Sequence, residues 1–293
     1  RGLGDVYKRQ IQHSTIALEL FPDSQKHSDT DDEYHIEISK GNGHIYGSNS
    51  RSVLLGIYKY LTLLGCRFLR PGKAYEYLPM LSSTEDLNIC CHEKAENKYR
   101  GVCIEGADCP ENIFEFIDWL PKLGFNTFFL QFELPYAFLN LWYSHKNNPM
   151  LSAEEFSLEK AAEISLLIDK ELQKRSLKHH RVGHGWTCSV LNQNTLGWVE
   201  ADNTLDKSQL PLTALVNGER GFFGGIPINT NLCYSNPDVV ESFAEKVVAY
   251  AKKHPEVDYL HVWLADAANN HCECENCQKS IPTDLYVRIP VSY

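Results

Sequence analysis

VDYLHVWLADAANNHCECENC, residues 257–277, opens as a buried strand and closes as a thiol-rich loop. Residues 259–264 form a short apolar run, rich in β-branched and aromatic side chains, after a helical pattern that stops at His254-Pro255. Such a run reads as a fully buried parallel strand. Asp266 falls at its C-terminal tip. Loops leaving the carboxyl ends of parallel strands line a common crevice, so that tip is where a ligand is expected. Shortly beyond it, Cys272-x-Cys274-x-x-Cys277 crowds three thiols together.

At 293 residues and 43% apolar content the chain can bury a large core, and at roughly one domain per 150 residues it accommodates two domains or one large one. The net charge of -10 argues against a nucleic-acid footprint, which needs a basic stripe, and suits a neutral substrate such as a sugar. No run of about 18 apolar residues occurs, so no membrane span is expected. RGLGDVYKRQ (1–10) and PVSY (290–293) look like translated adapter sequence and are expected to be non-native. The ten cysteines are unevenly placed, with Cys90 and Cys91 adjacent. That suits a metal site or a reducing compartment better than a secreted disulfide framework, and a cytoplasmic location is expected.

Residues 11–95 read as a small α+β domain. Residues 16–21 are a strand candidate, and residues 34–39 alternate cleanly before Lys40-Gly41-Asn42-Gly43, a hairpin turn that returns through Gly47. Asn49 or Ser50 can cap a helix with Val53, Leu54, Ile57, Tyr60, Leu61 and Leu64 on one face, closed by Gly65. The polar run HEKAENK then marks a linker.

From residue 99 the pattern becomes strand, helix, strand, helix. Strands are expected over 99–105, 126–132, 178–184 and 259–264, and helices over 111–123, from Ser157 to about Lys174, and from Pro237 to Lys253. Four βα units imply a parallel sheet, either half of a barrel or an open doubly wound sheet. GERGFFGGIP matches neither G-x-G-x-x-G nor Gly-Lys-Ser/Thr, which argues against nucleotide binding.

The strand tips then carry Glu105, Gln131 and Glu133, His184 and Trp186, and Asp266. Several hydrogen-bonding side chains collected at one end are better explained by a ligand than by packing. Glycoside hydrolysis needs two carboxyl groups, and Asp266 with Glu105 or Glu133 are the candidates. Each has a plainer reading: Asp266 as a turn cap, Glu105 as a loop carboxylate, Glu133 as an exposed side chain, His184 as a satisfied core histidine. His180 and His184 share a strand face but lie roughly 13 Å apart, too far to share one ion. Trp186, Trp198 and Trp263 are suited to stacking on sugar faces, with Trp119 and Trp142 as core, and Asn270 supplies a further polar contact.

GNGHIYGSNSRSVLLGIYKYLTLLGCRFLRPG (41–72) resembles the small domain that precedes the catalytic barrel of β-N-acetylhexosaminidases and α-glucuronidases. Together with NTNLCYSNPDV (229–239) and the D-x₅-C-x-C-x-x-C string, it resembles most a bacterial glycoside-hydrolase-like family known as a domain of unknown function. The resemblance implies an α/β fold: a small α+β N-terminal domain over 11–95, then over 99–289 about four βα units, the first half of a (β/α)₈ TIM-type barrel. It also implies a glycoside hydrolase acting on a glycan through carboxylate acid/base catalysis, with no cofactor required, and inactive as this half alone. Hexosaminidases begin the first barrel strand with Arg-Gly, end the third near Gly-His and the fourth in Asp-Glu. Here stand Arg100-Gly101, Gly183-His184 and Asp266-Ala267, which implies substrate contacts for Arg100 and His184 and leaves the acid's place to Ala267. A barrel that binds carbohydrate without cleaving it is therefore the alternative, and a metal-stabilised scaffold a third. Cys272, Cys274 and Cys277 either hold a structural zinc, with a fourth ligand from His271, Cys233 or elsewhere, or are plain reduced thiols.

Overall fold

The computed structural model describes residues 15–80, 87–194 and 196–291. The expected adapter-like residues 1–10, 292 and 293 lie outside the described residues. The chain forms two compact units, the first built from residues up to Val102 with Pro110–Phe128 and Ile168–Lys178, the second from Cys103–Cys109, Phe129–Leu167 and His179 onward.

The first unit opens with β1 (Ile16–Leu20), β2 (Glu33–Ser39), β3 (Asn42–Gly47) and helix α1 (Ser50–Leu63), followed by β4 (Arg67–Phe68), β5 (Glu76–Tyr77) and β6 (Ile89–Lys94). Its main sheet runs β1-β3-β2-β6, with β1 parallel to β3 and the other pairs antiparallel. Lys40 and Gly41 take the positive φ angles of 50° and 77° that the β2–β3 turn demands. Asn49 caps α1 by accepting from the Ser52 N–H at 2.9 Å. Tyr60 then packs on Ile36, Ile38 and Ile45 of the sheet. The polar run expected as a linker begins inside β6, whose residues alternate between half-buried and exposed. A strand with one wet face carries polar residues without ceasing to be a strand.

Asp32 is the polar centre of this unit. Fully buried, it accepts from Arg51 Nε at 2.9 Å, Arg100 Nη2 at 2.6 Å and Asn126 Nδ2 at 2.7 Å. Burial alone would raise its carboxyl, but the two guanidinium groups outweigh that and hold it below the ordinary range.

The remaining elements are β7 (Gly101–Ile104), α2 (Pro110–Trp119), β8 (Thr127–Gln131), α3 (Tyr136–Tyr143), α4 (Leu158–Lys174), β9 (Lys178–Gly183), α5 (Trp186–Val190), β10 (Leu215–Val216), β11 (Glu219–Arg220), α6 (Pro237–Lys253), β12 (Tyr259–Val262) and α7 (Pro282–Val291). The fold is mixed α/β. A four-stranded sheet runs β7-β8-β9-β12 in chain order, with β9 and β12 parallel, and no barrel is closed among the described residues. Gly101 is fixed by packing, because a Cβ there would stand 1.8 Å from Thr127 Oγ1. Phe132 and Val182 both adopt positive φ, 67° and 74°, and the Phe132 N–H donates to Val182 O at 2.7 Å. These are costly conformations for bulky side chains, and they re-aim the chain just where the tips begin. The core of the second unit gathers Trp186, Leu191, Leu232, Val239, Phe243 and Tyr250. No helix among the described residues is long and apolar enough to cross a membrane.

Candidate functional site

Asp266 follows β12 on a loop pinned at both ends. Its N–H donates to Ile228 O at 3.1 Å, and its carbonyl accepts from Asn270 Nδ2 at 2.9 Å. Its side chain is 42% exposed, so it faces a space a ligand can reach. One carboxylate oxygen accepts from Trp198 Nε1 at 2.8 Å and the other from the Ala267 N–H at 3.0 Å. Partial burial pushes the carboxyl up, but these donors and His184 more than offset it and keep it below the ordinary range. Asp266 is thus an anion at neutral pH, suited to accept a hydroxyl or steady a positive centre and unsuited to be the proton donor.

His184 comes directly after β9. Its Nδ1 lies 2.9 Å from Leu264 O, which can only accept, so Nδ1 carries the proton and Nε2 faces Asp266 Oδ1 at 4.0 Å. Trp263 is half-buried and stands edge-on to His184, with ring centroids 4.9 Å apart. Gly183 has φ 84°, and a Cβ there would come within 3.0 Å of the Trp263 ring. The Gly183-His184 pair therefore seats the indole as well as presenting the imidazole. Asp266, His184, Trp198 and Trp263 form one constellation of an anion, a ring nitrogen and two aromatic faces.

The other expected residues divide. Glu105 is exposed at the tip of β7 and accepts from the Gln131 amide. Asn270 is buried and spends its amide on Asn229 O and Asp266 O, so it shapes the Asp266 loop. Arg100 is corrected to a structural role: it precedes β7, at the end of the strand away from the tip, and its guanidinium is consumed by Asp32, Gly124 O and Asn97 O. Trp186 is corrected to core. It is 3% exposed, donates to His261 O at 3.0 Å and packs edge-on to Tyr250. Glu133 is exposed, as its plainer reading had it, and lines a 410 Å³ cavity with Trp186, Lys246 and Lys253, to which none of Asp266, His184 and Trp263 contributes. Trp142, expected in the core, is exposed.

A second cluster lies beyond Asp266. The Sγ atoms of Cys233, Cys272, Cys274 and Cys277 all lie within 4.8 Å of one another, and all four cysteines are free. Cys233 is the residue that sequence spacing left open among other fourth partners. The hydrogen bond between Cys272 and Cys233 pulls the Cys233 thiol below the ordinary range and holds Cys272 above it. Four convergent sulfurs of this kind can hold a metal ion.

A family model described as "Domain of unknown function (DUF4838)" matches residues 188–284, the part of the chain that carries Trp198, Asp266 and the four thiols. No curated protein matches the sequence. Among solved structures, the chain is similar to a family 89 glycoside hydrolase from Clostridium perfringens in complex with PUGNAc, at 14% identity and a TM-score of 0.48, over 88% of this chain and 31% of that one. It is also similar to a variant of the Clostridium perfringens enzyme in complex with its substrate GlcNAc-alpha-1,4-galactose, at 14% identity and a TM-score of 0.48, over 86% of this chain and 30% of that one. The chain thus spans about a third of the length of either structure.

Sequence reasoning missed Arg220 and Ser235, which border the thiols. The Asn217-Gly218 pair between β10 and β11, a strong hairpin signal, is what could have placed Arg220 beside them.

Proposed function

We propose that this chain belongs to a glycan-binding protein of glycoside-hydrolase type, with its sugar site at the carboxyl ends of β9 and β12. One observation carries the reading: the Asp266 carboxylate is held ionised by Trp198 while facing His184 Nε2, with the Trp263 ring alongside. Sugars offer hydroxyls to a carboxylate and an imidazole, and a C–H face to an indole. Asp266 orients a ligand or stabilises developing positive charge, and the proton donor is a second carboxyl, for which Glu105 at the β7 tip is the candidate within this chain.

Binding without cleavage is the second reading, favoured by Ala267 standing beside Asp266 where a carboxylic acid would serve. A panel of aryl N-acetylhexosaminides and glucuronides, assayed on the full-length protein for both turnover and binding, separates the two. Binding with no turnover selects the second, and neither binding nor turnover on any sugar overturns both.

A further inference from the structure

We infer that Cys233, Cys272, Cys274 and Cys277 form a closed tetrahedral site for one zinc ion. Zinc–thiolate bonds of about 2.3 Å place the corners of the tetrahedron roughly 3.8 Å apart. Cys233 Sγ lies 3.7 Å from Cys274 Sγ and 3.9 Å from Cys277 Sγ. These separations match a coordination tetrahedron and are far longer than a disulfide bond of about 2.05 Å.

The surroundings are built for thiolates. The Leu215 N–H points at Cys272 Sγ at 3.3 Å, and Ser235 Oγ lies 3.1 Å from Cys277 Sγ and 3.6 Å from Cys274 Sγ. Arg220 reaches Cys233 Sγ at 4.0 Å while its other amino group is held by the Thr213 carbonyl. Zinc binding displaces the thiol protons that remain, forms four Zn–S bonds and leaves the centre with two negative charges. Arg220 and the N–H donor face that charge, as outer partners of metal sites do. Four protein ligands leave no open position, so the ion is structural. It fastens the segment entering α6, where Asn236 caps the helix, to the loop that continues from Asp266 through Asn270.

The test is metal analysis of the full chain purified without chelator, followed by cobalt exchange. The expected results are about one zinc per chain and, with cobalt, the thiolate charge-transfer and intense visible bands of a tetrahedral sulfur site. Cys233→Ser should lower zinc retention against a competing chelator at least tenfold, while Cys103→Ser and His271→Ala leave it unchanged. Should Cys233→Ser fail to fold, the wild-type cobalt spectrum decides. Less than about 0.2 equivalents of zinc with no cobalt–thiolate bands, iron in place of zinc, or a mass two hydrogens low from a disulfide among the four would each overturn the assignment.

Discussion

Trp198 and Asp266 stand 68 residues apart in the chain and share one hydrogen bond, the indole Nε1–H donating to Oδ2 at 2.8 Å. The Trp198 ring is itself set by Phe132 and Phe138, with centroids 5.7 and 5.9 Å away. A loop with no regular structure is thereby used to fix both the charge and the direction of a strand-tip carboxylate. Trp198→Phe keeps the ring and removes the donor, so the Asp266 carboxyl should titrate higher, towards its ordinary value of 3.8. Carbon-detected NMR titration of the carboxyl measures this, and an unchanged midpoint would remove Trp198 from the account.

Asp32 and Arg51 set the acid limit of the first unit. The folded Asp32 carboxyl is depressed, so its contribution is present above the ordinary value of 3.8 and is lost as pH falls through the folded value. Arg51→Met should cost about 3–5 kcal/mol at pH 7, because it leaves a buried carboxylate one cation short. Urea unfolding at pH 7 and again near pH 3 checks both points, and the penalty should shrink in acid.

His179 and His180 act in the opposite direction of charge. Burial pushes them down to about 3 and about 4 respectively, so the folded protein refuses protons that the unfolded chain accepts below about 6.5. The unfolded state binds more protons between those values, and stability therefore falls as pH drops from 6.5. For His179, the more buried, the slope is at most ~1.4 kcal/mol per pH unit. His179→Gln should flatten the pH 7 to 5 dependence of the urea midpoint, and an equally steep dependence in the variant would locate the protons elsewhere.

The two tryptophans that sequence placed together should separate in experiment. Trp186→Ala should destabilise by about 3–5 kcal/mol, as expected for a buried aromatic. Trp263→Ala should cost less stability and most of the sugar affinity. Thermal melts and ligand titration on both variants test the distinction, and equal effects on affinity would restore Trp186 to the site.

Much of the fold was legible because local signals were strong. The Asn49 cap and the Asn236-Pro237 opening of α6 appear where expected, and the turn expected over residues 40–43 is present but takes its positive φ angles at Lys40 and Gly41, with Asn42 opening β3. The β6 strand was hidden by polar residues on a wet face, and α3 and α5 by their shortness. At the site, position along a strand pointed to Asp266 and His184 but could not separate Trp263 from Trp186, since burial depends on what packs from other elements. Arg100 was misplaced because an Arg-Gly pair reads the same whether the guanidinium meets a ligand or a buried aspartate such as Asp32. Glu133 is exposed, as the plainer of its two readings had it.

The most direct test compares sugar affinity of the wild-type protein and Asp266→Asn by titration with N-acetylhexosaminide and glucuronide ligands, followed through tryptophan fluorescence. Asparagine can still accept from Trp198 through its one oxygen but turns its amide nitrogen to the Ala267 N–H, so the fold should survive with a small loss of stability while the charge is lost. A carboxylate that binds a sugar hydroxyl makes a charge-assisted hydrogen bond worth about 1.5–3 kcal/mol. Binding to wild type and a loss of at least about tenfold in Asp266→Asn are expected, with a cooperative melt retained in the variant. Equal affinity in the two proteins would contradict this and leave Asp266 as a loop cap.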